Sequence, residues 1–363
     1  MHVELALTVI LAAVVALLLL AQTLRVPYPI LLVVGGCLLG AVPDLPDVEL
    51  EPDVVLLVLL PPLLYAAAFF TPLRELRRNV AAVSVLAVGL VLATMVVVAL
   101  VAHHALDFGW AESFVLGAIV SPTDPVAATA IARRLGVPGR IVTIVEGESL
   151  INDGTALVAY KFAVAAVVTG SFSLMDATGE FVWNALGGIA VGIAIGAVIA
   201  MVRRRLHNPP VEITIALFTS YFAYLPAEEL GVSGVLAAVT VGIFMGRLTS
   251  QLTTPTTRIQ GTAVWEIVVF LLNSALFVLV GLQLPGVLDG IEGPGSTGAI
   301  VRDGALVAAT VMVVRLAWVF PFTYLPRLLI PRLRAAGPAP PWQHTLLVAW
   351  TGMRGAVSLA AAL

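Results

Sequence analysis

The chain has 363 residues, 60% of them hydrophobic and 11% charged, with a net charge of −3 and a mean hydropathy of +1.04. A soluble globular domain does not carry so little charge, so lipid is the main solvent. One cysteine leaves no disulfide framework and no thiolate metal site, and no basic run is long or aromatic-interleaved enough to bind nucleic acid.

Crossing a hydrocarbon core of about 30 Å takes about 20 helical residues. Apolar runs of that kind are centred near residues 14, 35, 62, 90, 122, 154, 191, 218, 239, 272, 314 and 353. They are continuous rather than alternating, which predicts an all-α polytopic membrane protein and disfavours a barrel. The first run, from Leu5 to Leu24, is preceded by no Lys or Arg and reads as a span, not a secretory signal. Cys37 reads as a small packed hydrophobe in the second. Basic residues fall in every second connection: Arg25, Arg74/Arg77/Arg78, Arg133/Arg134/Arg140, Arg203/Arg204/Arg205, Arg247/Arg258 and Arg327/Arg332/Arg334. The alternate connections hold Asp44, Asp47, Glu49, Asp107, Asp176, Glu180, Glu228, Asp289 and Glu292, with Arg302 as the basic exception. Positive residues stay on the cytoplasmic side, so the amino terminus is expected outside a cell membrane. The longest polar connections, Asp44 to Asp53 and Pro285 to Asp303, are loop-sized, so residues 1–363 read as one transmembrane domain. The last apolar run stops at Leu363, which predicts a missing final helix and cytosolic tail.

Charge near the bilayer centre is expensive and marks function. Asp124 lies about half way between Glu112 and Arg133; Asp153 lies about 20 Å of helix beyond Arg140, at a similar depth. In Ser121-Pro122-Thr123-Asp124-Pro125, two prolines predict a break at Thr123-Asp124, where free carbonyls can line a cavity and ligate a cation. In the next span Ser149, Asn152 and Asp153 share one helical face, a set of hard oxygen ligands suited to sodium or lithium. Two arginines at depth require partners. Glu148 is the expected partner of Arg315; Arg354 is expected to neutralise Asp124 or to stabilise helix ends near it. Asp153 then remains free to alternate between a proton and a cation. Lys161 sits near the outer end of its span and can snorkel, while Glu266 and Glu146 lie nearer the inner face.

Several ordered stretches resemble the monovalent cation:proton antiporter-1 family of sodium/proton exchangers. They are Leu60-Pro61-Pro62-Leu63-Leu64-Tyr65, Ser121 to Pro125, Gly147-Glu148-Ser149-Leu150-Ile151-Asn152-Asp153-Gly154, Ser233-Gly234-Val235-Leu236-Ala237, Trp265-Glu266 with Phe270 to Ser274, and Arg354-Gly355-Ala356-Val357-Ser358-Leu359. The resemblance implies inverted repeats, two discontinuous crossing helices, and about 12 spans of an expected 13. It also implies a mobile core beside a dimerising scaffold, hence a homodimer. It assigns cation and proton binding to Asp153, with Asn152, Ser149, Thr123 and Asp124 around it, and a structural ion pair to Glu148 and Arg315. Asn152 before the acid resembles the electroneutral branch. The implied activity is exchange of Na+, or of Li+ or K+, for H+, with roles in intracellular pH and sodium homeostasis, no cofactor and no enzymatic step. Where several relatives carry an acid on the third helix, this chain has Ala66-Ala67-Ala68, which leaves ion preference open. Two other classes fit less of the sequence. An intramembrane aspartyl protease could use Asp124 and Asp153 as a dyad, but its Gly-x-Gly pattern is absent. A channel or sensor would need rows of charge that are also absent.

Overall fold

The protein is described here by a computed structural model covering residues 3–24, 26–42, 54–124, 129, 132, 136–169, 174–289, 297–329 and 339–352. These residues form helices and no strand. In chain order the helices are α1 (Val3–Leu24), α2 (Tyr28–Gly40), α3 (Leu60–Phe70), α4 (Leu73–Arg78), α5 (Val80–Ala105), α6 (Trp110–Val120) and α7 (Gly139–Thr169). There follow α8 (Leu174–Arg203), α9 (Pro209–Glu229), α10 (Gly234–Leu252), α11 (Pro255–Asp289), α12 (Thr297–Leu329) and α13 (Trp342–Trp350). Widened π-type turns lead into α3 over Val54–Leu59 and interrupt α5 over Val85–Leu90.

Length separates the helices into two kinds. Those in α5, α7, α8, α10, α11 and α12 are long and apolar enough to cross a membrane. By contrast α6 has 11 residues and α13 has 9. At 1.5 Å per residue these reach only about 14 to 17 Å, roughly half of a bilayer core. Both stop in the same way. Beyond α6 the chain leaves the helix at Ser121, whose hydroxyl donates back to the Ala118 carbonyl at 3.0 Å. Beyond α13 it leaves at Thr351, whose hydroxyl donates to the Val348 carbonyl at 2.9 Å. Pro122 cannot supply the N–H that would continue the first ladder. Pro226, Pro285, Pro321 and Pro326, by contrast, lie inside helices. Accordingly α11 runs on to Asp289 and α12 starts at Thr297, so the connection expected from Pro285 to Asp303 is shorter than its composition suggests.

Packing divides the helices into two groups. The first holds α1, α2, α3 and α8 to α11; the second holds α4 to α7, α12 and α13. Lipid tails are as apolar as leucine, so association inside a bilayer depends on close backbone approach instead of water expulsion. The first group uses glycine faces for this. On α8, a Cβ at Gly192 would stand 2.6 Å from the Ala237 carbonyl, and one at Gly196 would stand 2.7 Å from the Phe244 ring. On α10, a Cβ at Gly242 would stand 2.7 Å from the Tyr65 carbonyl and 2.8 Å from Ala68 Cβ. Tyr65, fully buried, stacks on Phe69 and Trp265 at the centre of this group. The second group closes around Leu86, Ile141, Val145, Val319 and Val348. Between the groups, Leu150 and Leu157 of α7 pack on Leu60, Leu64 and Ala68 of α3 and on Val235, Ala238 and Val239 of α10.

One arginine departs from its expected solvated connection. Arg203 closes α8 with 4% of its side chain exposed and pairs with buried Glu212, in the first turn of α9, at 3.7 Å. A cation at a helix carboxyl end and an anion at a helix amino end are each favoured by the helix dipoles. Their proximity across a short turn lets both be buried.

Glycine at position 242 is therefore a packing requirement. Gly242→Leu is expected to destabilise the protein by about 1–3 kcal/mol through overpacking. Gly304→Ala, where a Cβ meets nothing within 4 Å, is expected to leave stability unchanged or slightly raised. Thermal unfolding of the two purified variants beside the parent checks both.

Candidate functional site

The site is built where the break after α6 meets α7. Seven residues into α7 the sequence passes from apolar to polar at Glu146, and Glu148, Ser149 and Asn152 are all buried there. Helical spacing stacks Glu148 with Asn152, and Ser149 with Asn152 and Asp153, so two adjacent faces of one helix carry the polar set. Glu148 and Asn152 turn toward the break, while Asp153 is half-buried beside them.

At 1% exposure Glu148 would be prohibitive as a lone carboxylate in this setting. Arg315, buried in α12, meets it bidentately: Nη1 donates to Oε1, and Nη2 donates to Oε2 at 2.9 Å. The same guanidinium turns its other edge to α13. Nε and Nη2 donate to the Val348 carbonyl at 3.2 and 2.9 Å, close to where α13 stops. A half-helix ending inside the membrane has carbonyls without partners. Arg315 supplies donors and a positive charge at that negative dipole end. Gly352 lies against it so closely that a Cβ there would sit 2.5 Å from Arg315 Cδ and 2.9 Å from Nε.

The other break joins the same pair. Thr123 Oγ1 donates to Glu148 Oε1 at 3.2 Å, and Asn152 Nδ2 donates to Thr123 Oγ1 at 2.8 Å. The order of donors follows from chemistry. An ionised carboxylate only accepts, so the Thr123 hydroxyl must spend its proton on Glu148, and its lone pair must then take an N–H from Asn152. This orients the amide, leaving Asn152 Oδ1 buried with no hydrogen-bond partner among the described residues. An orphaned buried carbonyl oxygen is costly unless a ligand uses it.

Of the residues singled out in the sequence, the structure brings Thr123, Glu148, Asn152 and Arg315 into one bonded network. Ser149 is buried on the α7 face shared with Asn152 and Asp153. Asp124 follows Thr123 in the non-helical stretch and stands within coulombic reach of Asp153. Arg354 lies outside the described residues. Among the described residues no group of three or more His, Cys, Asp or Glu could hold a metal ion; the oxygens gathered here are those of one or two carboxylates, an amide and hydroxyls. Glu266 is exposed on α11, and Lys161 reaches Glu228 at 3.7 Å. Sequence reasoning did not find the Val348 carbonyl, because a backbone acceptor carries no side-chain signal. Gly352 was the one available hint that something bulky packs beside α13.

The family model described as the transmembrane sodium/hydrogen exchanger matches residues 9–363. An uncharacterized Na+/H+ exchanger of Mycobacterium tuberculosis is 39% identical over 361 residues, covering 97% of this chain and 65% of the relative. A sodium, potassium, lithium and rubidium/H+ antiporter of Bacillus subtilis is 35% identical, covering 92% of this chain and 51% of the relative. For the Na+/H+ antiporter ApNhaP of Aphanothece halophytica the values are 33%, 93% and 63%. The chain thus spans between about half and two thirds of the length of these relatives. A structure of the sodium proton antiporter MjNhaP1 from Methanocaldococcus jannaschii superimposes with a TM-score of 0.73 at 20% identity, over 100% of this chain and 88% of that one. The described helices therefore share the fold of that antiporter, and two of them, α6 and α13, have the length of about half a bilayer core.

If Arg315 and Glu148 neutralise each other while holding both breaks, removing one charge is worse than removing both. Arg315→Met and Glu148→Gln are each expected to lower stability by about 3–5 kcal/mol, and the double variant by less than the sum. Denaturation of the three purified variants, read as a double-mutant cycle, checks this.

Proposed function

Since the chain belongs to the sodium/hydrogen exchanger family, we propose that it is a secondary transporter exchanging one monovalent cation for one proton, with Asp153 binding each in turn. The observation that carries this reading is the free Asn152 Oδ1 held beside Asp153 by Thr123 and Glu148. An amide oxygen and a carboxylate at adjacent positions are hard, dehydrating ligands for an alkali cation. Ser149 and the Thr123-Asp124 break would supply further oxygens from the two sides.

Coupling follows from the cost of bare charge in lipid. A carboxylate at mid-depth costs several kcal/mol unless it is neutralised. Glu148 is already balanced by Arg315, and Arg354 would balance Asp124. Asp153 would then change sides of the membrane only when it carries a cation or a proton. Either ligand removes one negative charge, which makes the exchange electroneutral. The protease and channel readings find no support in the family.

The wider setting belongs to the same proposal. Residues 1–363 would act as one transmembrane transport unit in the cell membrane, with the amino terminus outside, because Arg77, Arg140, Arg204, Arg258 and Arg327 stand at alternate helix connections. The expected assembly is a homodimer, and the expected role is control of intracellular pH and sodium. Sodium is the leading substrate. The name of the Bacillus subtilis relative, which lists potassium, lithium and rubidium as well, supports a site able to admit several alkali cations.

The protein reconstituted in proteoliposomes and given an inward sodium gradient is expected to move protons outward, and Asp153→Asn to abolish this. Protons and cations compete for one carboxylate, so lowering pH should raise the apparent KM for sodium and leave the maximal rate little changed. In the acid limit the rise approaches about tenfold per pH unit, the slope of a single competing proton. Proton flux without cation coupling, or exchange retained in Asp153→Asn, would refute the assignment.

A further inference from the structure

Resting on that exchange reading, we infer that Lys161 and Glu228 form a latch that closes one end of the path to Asp153 and must open in every transport cycle. The two residues lie in different helix groups. Lys161 is on α7, the helix of Asp153, eight residues further along and so about 12 Å closer to its Thr169 end. Glu228 is at the end of α9, in the turn leading to α10. Lys161 Nζ stands 3.7 Å from Glu228 Oε2.

The two partners are not equally mobile. Glu228 Oε1 accepts the Gly234 backbone N–H at 2.9 Å, which fixes its carboxylate on the first turn of α10. Gly231 permits this tight turn with φ of +68°. Lys161 is a flexible arm with 61% of its side chain exposed. The pair therefore joins a fixed post on one group to an arm on the other.

Below the latch the seam is already shut. Leu150 and Leu157 of α7 are packed into Tyr224, Val235 and Val239. At Gly154, next to Asp153, a Cβ would stand 3.2 Å from Leu236 Cδ2, so α10 presses on α7 at the level of the carboxylate. Parting α7 from α10 here would open a way between Asp153 and the Thr169 end. A displacement of a few ångströms between the groups separates Lys161 from Glu228. The latch is formed in this conformation and absent from the one open at that end.

An exposed pair has only modest strength, which suits a contact made and broken in each turnover. It biases the equilibrium between the two conformations by up to about fivefold. Neutralising it should therefore favour the state open at the Thr169 end without abolishing exchange.

Three variants in sided proteoliposomes test this: Lys161→Gln, Glu228→Gln, and the double variant carrying both. Glutamine at 228 keeps an oxygen for the Gly234 N–H. Each single variant is expected to shift the ratio of apparent cation affinities at the two membrane faces by about two- to fivefold, and the double variant to shift it no further than either single one, because one contact is lost in all three. Unchanged ratios, or single shifts that multiply in the double variant, would overturn the latch. A second test uses Lys161→Cys with Glu228→Cys in a Cys37→Ala background, bridged by a bifunctional methanethiosulfonate, which forms a disulfide with each thiol and releases sulfinate. Bridging is expected to stop exchange until a reductant cleaves it, and exchange at the unbridged rate would also overturn the latch. The parent and the Cys37→Ala protein run in the same vesicles. If they show no coupled flux, the exchange reading itself fails, separately from the latch.

Discussion

The arrangement depends on one buried charge pair that serves two broken helices at once. Glu148 and Arg315 are almost wholly withdrawn from solvent, at 1% and 2% exposure. Either alone would be among the most costly groups in the molecule. Together they form a neutral plate whose remaining hydrogen-bonding capacity is spent on chain ends. Arg315 holds the Val348 carbonyl near the end of α13, and Glu148 holds Thr123 in the stretch beyond α6. Half-helices inside a membrane need partners that neither lipid nor their own ladders can provide. The pair supplies both, so the charge, the two breaks and the site are one construction.

From that plate the polarity of the site propagates by donor and acceptor logic. Glu148 can only accept, Thr123 must donate to it, and Asn152 must donate to Thr123. The last member, which precedes Asp153 in the chain, has its amide oxygen left over. The Glu148–Arg315 pair thereby decides which atom of Asn152 is left without a partner. In the exchange proposed above, the ligands would be one carboxylate and neutral dipoles, a combination that one proton can replace in charge terms.

The contacts within the groups differ from those between them. Within the first group, glycine faces on α8 and α10 bring backbones into contact. Such surfaces fit in one register and resist sliding. Between the groups, α7 meets α3 and α10 through leucine, valine and alanine side chains. Smooth apolar surfaces inside a bilayer exchange one packed neighbour for another at little cost. Such a seam beside the helix carrying Asp153 would serve the exchange proposed above.

Much of this was legible along the chain because span length, depth and proline breaks are local properties. Apolar runs located the helices, and Pro122 and Pro125 located the first break. The prohibitive cost of unpaired charge in lipid showed that Glu148 and Arg315 each needed a partner. Where the reading along the chain fell short, the missing information was non-local. Arg203 looked like one more solvated loop arginine until the turn after α8 carried it to Glu212. Lys161 looked free to snorkel until the α9–α10 turn brought Glu228 to it. By itself the sequence determined that this is a helical membrane protein, since hydropathy is summed residue by residue. Only the tertiary structure decided that Arg315 caps α13 through Val348 and that Asn152 presents its oxygen. A backbone carbonyl has no identity in the sequence, and an amide's orientation is set by neighbours 29 and more residues away.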